Sequence, residues 1–164
     1  MESMESSLHA LALLVASNAT PVLLSKVAGT RATFPVDFGY VMRDGERLLG
    51  SHKTWRGLFA GIAAGALTAW LLNLSPRLGA EFALLSLIAD ATSSFIKRRM
   101  RLKPGTEFLG LDQLGETLLP LAVFATPLAL GFGDILVVAA IFIVIDVATT
   151  PLRRQRWFDR ERDR

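Results

Sequence analysis

The 164-residue chain contains no cysteine, which excludes disulfides and thiolate metal ligands and leaves the redox state of its compartment undetermined. Its two histidines, His9 and His52, have no metal-ligand spacing, and only His52 stands where a site member could. The opening "MESMESS" lacks the basic stretch of a secretory signal and any obvious small-residue cleavage site, so the first apolar block is expected to stay in the mature protein. Basic residues are nearly missing from two of the four connections between apolar blocks, and that absence sets the expected topology.

Apolar residues make up 51% of the chain, and its mean hydropathy is +0.40. They gather in five blocks, at about 8–26, 57–74, 78–96, 114–130 and 134–152, each near the roughly 17–25 residues that cross a bilayer as helix. The expected fold is an all-α integral membrane protein, residues 1–164 forming one polytopic domain with five transmembrane helices. Of the 18 Lys and Arg residues, six lie in 26–56, five in 97–103 and six in 153–164; only Arg77 lies elsewhere. By the positive-inside rule the N-terminus is expected outside the cell membrane, with the C-terminus and the active site cytoplasmic. Orientation and anionic lipid heads account for basic residues in such places, and no nucleic-acid partner is expected.

The first basic loop carries more than charge. In "YVMRDGERLL" the Asp44-Gly45 pair predicts a small β-hairpin or tight loop with a type I′ turn, which needs positive φ at both central positions. The hairpin would deliver "GSHKTWRG" to the start of the second helix, where Ser51, Lys53, Thr54 and Arg56 meet free backbone N–H groups suited to phosphate. Gly57, Gly61 and Gly65 follow at a spacing of four and are expected to pack helix on helix.

In the third block Asp90, Ser94 and Lys97 share a helical face, with Asp90 about 10 Å inward of Lys97. A carboxylate at that depth either pairs with a neighbouring base or faces a polar cavity. Asp112, in "GLDQLGE", starts the fourth block. Two carboxylates beneath two basic loops suit Mg²⁺ (or Mn²⁺) carrying a polyphosphate. Asp146 is intramembrane without a motif. Asn18, with Pro21, interrupts the first helix pattern, and Pro21 could free a carbonyl there.

"NATPVLLSKVAG", "VDFG", "RDGERLLGSHKTWRGLFAG", "DATSSFIKRRMRLKPG" and "LDQL", spread over residues 18–114, resemble the CDP-archaeol synthases, archaeal relatives of the bacterial CDP-diacylglycerol synthases. Only Asp112 stands where the bacterial enzymes carry a fuller D-R-x-x-D signature. The resemblance implies a cytidylyltransferase that uses CTP, Mg²⁺ and 2,3-di-O-geranylgeranylglyceryl phosphate, a polyprenyl ether-lipid phosphate, to make CDP-archaeol and pyrophosphate. It implies that Lys53 and Arg56, with Ser51 and Thr54, hold the CTP phosphates and that Asp90 and Asp112 hold the metal. Lys97, Arg98 and Arg99 would take the lipid phosphate or the pyrophosphate, with Asn18, Asp37, His52 and Ser94 in support. Ester phosphatidic acid is the alternative substrate. A small ion or solute transporter lined by Asp90 and Asp146 is the alternative of another class. A CDP-alcohol phosphotransferase is disfavoured because "DGER" lacks that class's signature, and a lipid kinase would release nucleoside diphosphate in place of pyrophosphate.

Overall fold

The computed structural model describes residues 2–29, 31–102 and 111–162, with side chains described for 3–29, 31–102 and 113–149. Five helices follow in order: α1 (Glu2–Ala28), α2 (Trp55–Leu71), α3 (Pro76–Arg99), α4 (Leu111–Val123) and α5 (Phe132–Arg162). α2 packs on α1 and α3, α3 on α4, and α5 closes against α1 and α4. Leu13, Leu14, Phe82, Leu121 and Phe142 form the centre of the core.

Three helical stretches are long and apolar enough to cross a membrane: Ser3–Ala28, Pro76–Arg99 and Phe132–Thr149. The two others differ from the expected blocks. α2 begins at Trp55 and ends at Leu71, and its 17 residues span about 25 Å. α4 has 13 residues, or about 20 Å, against a hydrocarbon layer of about 30 Å. Its chain then turns through 124–129 because Pro127 cannot donate a helical hydrogen bond, so the expected helix over 114–130 is cut short.

The α2–α3 crossing depends on missing side chains. A Cβ on Gly65 would stand 2.5 Å from the Gly79 carbonyl oxygen and 2.6 Å from the Ala83 Cβ. Gly61 serves the α1–α2 contact: its Cβ would meet the Ser17 carbonyl oxygen at 2.8 Å. That carbonyl sits four residues before Pro21, which has no N–H to give it, so α2 approaches where α1 lacks a bond. The glycine stripe thus packs helices, as its spacing predicts.

Among the described residues there is no strand, and the first loop contains isolated antiparallel bridges at Val41↔Arg47 and Pro35↔Thr54. The Gly45 N–H donates to the Met42 carbonyl at 3.0 Å, and Met42 N–H to the Glu46 carbonyl at 2.9 Å. Gly45 has φ +82°, whereas Asp44 is not in the left-handed region. The expected type I′ hairpin is replaced by a tight loop in which Arg43 and Asp44 are the central turn residues and Gly45 takes the left-handed bulge position.

Candidate functional site at the loop end of the bundle

The C-terminal ends of α1 and α3, the N-terminal ends of α2 and α4 and the first loop all meet at one end of the bundle. Asp37 organises that loop. Its Oδ1 accepts from the Gly39 N–H at 3.0 Å and from Arg47 Nη2 at 2.9 Å, while Oδ2 accepts from the Leu49 and Gly50 N–H groups, each at 3.1 Å. Burial opposes ionisation of Asp37, but the backbone donors and Arg47 together outweigh it and hold the carboxyl below its ordinary value. Asp37 therefore shapes the segment that carries Lys53.

The loop is fastened to the helices by groups expected to meet phosphate. Arg99 Nη1 donates to Asp44 Oδ2 at 2.5 Å, its Nη2 donates to the Arg47 carbonyl at 2.7 Å, and its guanidinium lies 5.3 Å from the centre of the Phe95 ring. The Glu46 N–H lowers the Asp44 carboxyl against a desolvation cost, and the Arg99 charge lowers it further. Arg98 is buried, with the Glu46 charge acting on it. Arg56 reaches back to the carbonyls of Arg31 and Gly29 and closes the end of α1. Thr54 is the N-cap of α2: its hydroxyl accepts from the Gly57 N–H at 3.2 Å. The Trp55 N–H donates to the Phe34 carbonyl at 3.0 Å, so the helix start is less open than its sequence predicts. Ser51 and His52 are exposed beside it, and Lys97 is half-buried near the end of α3.

Lys53 and Asp90 come together. The Lys53 ammonium donates to Asp90 Oδ2, and each side chain is about a quarter exposed, at 25% and 26%. Ser94 shares the Asp90 face, but its hydroxyl donates to the Asp90 backbone carbonyl at 3.0 Å and leaves the carboxylate to other partners. The second expected acid, Asp112, and the basic Lys103 lie outside the residues whose side chains are described. Backbone register still places Asp112. The Ser86 hydroxyl donates to the Glu116 carbonyl at 2.8 Å, and Gly115 faces the Ala89 carbonyl. Continuing that antiparallel register by one turn brings position 112 level with 90–92.

Below this end a polar line runs into the bundle. Asn18 Nδ2 donates to the Leu14 carbonyl at 2.9 Å and to Ser86 Oγ at 3.0 Å, and Ser86 passes the connection to α4. Gln113 Nε2 donates to Asp146 Oδ2 at 3.4 Å, giving Asp146 an amide partner on the neighbouring helix. Gln113, Glu116 and Thr117 are buried, and sequence reasoning passed over them as site-lining groups. Their spacing of three and four inside an apolar helix is the signal that marks an inward polar face.

Among the described residues no three or more His, Asp or Glu side chains cluster as a metal cage. The donor set nevertheless fits a divalent cation of the Mg²⁺ kind, which binds one or two carboxylates and completes its shell with water and substrate phosphate. Asp90 would supply a carboxylate already balanced by a positive charge, and backbone position 112 lies at the same level.

Helices sized for a bilayer, with all the described basic side chains but Arg77 drawn to one end, define an intramembrane protein with a polar site. The sequence matches the family model CarS-like, CDP-archaeol synthase, over residues 8–84 and 78–151, and the chain belongs to that family. The match reaches well past residue 114, where the resemblance by motif ends. The CDP-archaeol synthase of Pyrococcus furiosus is 35% identical over 153 residues, covering 86% of this chain and 87% of that protein. That of Thermococcus kodakarensis is 41% identical over 132 residues, covering 73% of each. A solved structure described as an intramembrane enzyme for archaeal membrane lipids biosynthesis is 34% identical, with a TM-score of 0.68 over 84% of this chain and 90% of that one.

Proposed function

We propose that this protein is a CTP-dependent cytidylyltransferase that converts 2,3-di-O-geranylgeranylglyceryl phosphate to CDP-archaeol and pyrophosphate in the membrane. Family membership supports the activity, and the Lys53–Asp90 pair is the observation that carries the site. A lipid-phosphate oxygen attacks the α-phosphorus of CTP. The new P–O bond forms as the bond from the α-phosphorus to the bridging oxygen breaks, and pyrophosphate leaves with that electron pair. The nucleophile is already an anion, so the protein's task is in-line positioning and charge neutralisation.

Lys53 and Asp90 neutralise each other in the resting protein. A bound divalent cation would supply charge neutralisation along the triphosphate, held by Asp90 and Asp112. Asp90 exchanges its ammonium partner as substrate enters, and Lys53 turns to the CTP phosphates with Ser51 beside it. Arg56 and Thr54 fix the end of α1 and the start of α2, so they hold Lys53 in register. Arg98 and Arg99 clamp the first loop to α3, and Lys97, the next base inward, faces the lipid phosphate or the departing pyrophosphate. Five spans are proposed, α2 and α4 being the short ones, with the N-terminus outside and the site cytoplasmic. The 17-to-1 distribution of Lys and Arg supports that orientation.

Purified protein supplied with labelled CTP, Mg²⁺ and the ether-lipid phosphate should release pyrophosphate and form a labelled CDP-lipid. No CDP-lipid from either the ether lipid or ester phosphatidic acid overturns the proposal. Product from the ester alone overturns the ether assignment.

A further inference from the structure

The outward faces of α2 and the first loop take no part in the site, and their chemistry is that of a membrane contact. Gly61, Gly65 and Ala69 of α2 are buried against its neighbours, while Phe59, Leu67 and Trp70 on the opposite side are 64%, 55% and 62% exposed. The large side chains thus point out and the small ones in, the arrangement of a helix that packs closely inward and meets lipid outward. Trp55 and Trp70 stand at the two ends of this stripe, about 22 Å apart along the helix. Trp collects at membrane–water interfaces, and here one marks each end of the stripe.

The stripe does not stop at the start of α2. The Trp55 and Phe59 rings stack at 5.9 Å, and the Phe38 ring of the first loop lies 6.1 Å from Trp55, so one aromatic ribbon runs from loop to helix. Phe38 is 81% exposed and has φ +50°, a left-handed conformation that bulky residues rarely adopt. Asp37 holds the backbone on both sides of that bend, through Gly39 in front and Leu49 and Gly50 across the loop. The ring is therefore presented outward by a pinned backbone. Phe34 and Tyr40 are also exposed, with the exposed Arg31 and Arg43 flanking them.

We propose that the first loop is a bilayer-docking wedge, in which Phe38, with Phe34 and Tyr40, enters the boundary between head groups and acyl chains as a continuation of the outer face of α2. Lipid is the occupant because the ribbon is continuous with the apolar outer face of α2 and because the flanking arginines match anionic head groups. A consequence follows for Lys53, two residues before Trp55: the inserted ribbon sets its ammonium at the depth of lipid phosphates. That consequence rests on the proposed function; the insertion does not.

The test uses the full chain, which offers a cysteine-free background, in vesicles of phosphatidylcholine with a minority of phosphatidylglycerol. Single cysteines at Phe38 and Ser51 (F38C, S51C) carry an environment-sensitive fluorophore. The probe at 38 should emit at shorter wavelength, resist aqueous iodide and be quenched by lipids brominated near the head group; the probe at 51 should remain open to iodide. Trp55, left alone by Trp70→Phe and Trp157→Phe, should show the same shallow quenching without a label. Equal iodide access at 38 and 51, or Trp55 untouched by brominated lipid, overturns insertion. Protection that appears only at high protein density assigns the face to a second copy and also overturns it. Phe38→Gly relieves the left-handed residue as it removes the ring, so the fold is favoured, and the KM for CTP, whose phosphates Lys53 meets, should rise about fivefold. An unchanged KM for CTP overturns the consequence for Lys53, whereas an inactive parent chain fails the proposed function and leaves the probe readings intact.

Discussion

Lys53, in the loop before α2, and Asp90, in α3, form an ion pair across 37 positions of sequence, and each keeps about a quarter of its side chain open to solvent. This partial exposure separates two roles by measurement. A pair with access to water contributes up to about 1 kcal/mol to stability, whereas stranding one member of a buried pair costs about 3–5 kcal/mol. A double-mutant cycle of Lys53→Ala and Asp90→Asn should therefore give a stability coupling near 1 kcal/mol in detergent melts. Lys53→Ala should reduce kcat/KM for CTP at least about tenfold, the cost of a charge-assisted phosphate contact. Asp90→Asn should abolish most turnover and the response to a Mg²⁺ or Mn²⁺ titration. A folded, active Asp90→Asn protein would return the pair to a purely structural role.

The first loop should be acid-sensitive through Asp37. Its folded carboxyl titrates below the ordinary value of 3.8, so its stabilisation is fully present above that value and is lost as pH falls through the lower folded one. Protection of residues 31–54 from limited proteolysis should hold at pH 6 and fall below about pH 4. Asp37→Asn should weaken protection at pH 6 and flatten its dependence on acid. An unchanged profile in the variant would assign the acid response to another group.

The Gly65–Gly79 crossing predicts a sharp contrast between glycines. Gly65→Ala places a methyl against backbone that cannot yield and should cost about 1–3 kcal/mol in detergent stability. Gly133→Ala, at a helix position with nothing within 4 Å of the added Cβ, should be neutral or slightly stabilising. Thermal melts of the two variants check this.

Orientation is testable because the chain has no cysteine of its own. Cysteines placed at Ser75, in the turn between α2 and α3, and at Ser51, in the first loop, should react with impermeant reagents from opposite faces of the membrane. Reaction from the same face would overturn both the orientation and the cytoplasmic site.

The linear pattern made much of this legible. Apolar runs mark where helices lie, the grouping of Lys and Arg marks which ends share a side, and glycines at a spacing of four mark a close helix contact. These are properties of neighbours along the chain, and they survive without knowledge of the fold. Asp90 could also be singled out, because a carboxylate inside an apolar run is costly wherever the run ends up. Boundaries were less readable: α4 ends at Val123 because Pro127 and the turn around it outweigh the apolar run that continues to residue 130.

The division of labour among the basic residues was decided by tertiary structure alone. In sequence, Lys53, Arg56, Arg98 and Arg99 are equivalent cations beside apolar helices. In the fold, Arg56 closes α1 from about 25 positions away, Arg99 grips a turn 55 positions away, and Lys53 meets Asp90. The same holds for Gln113 and Asp146, which meet across 33 positions once α4 and α5 pack together. The sequence by itself determined that charge would gather at one end of an apolar bundle, because hydropathy and helical periodicity are local. Only the tertiary structure decided which cation answers which carboxylate, because that depends on distances of a few ångströms set by the packing of helices far apart in the chain.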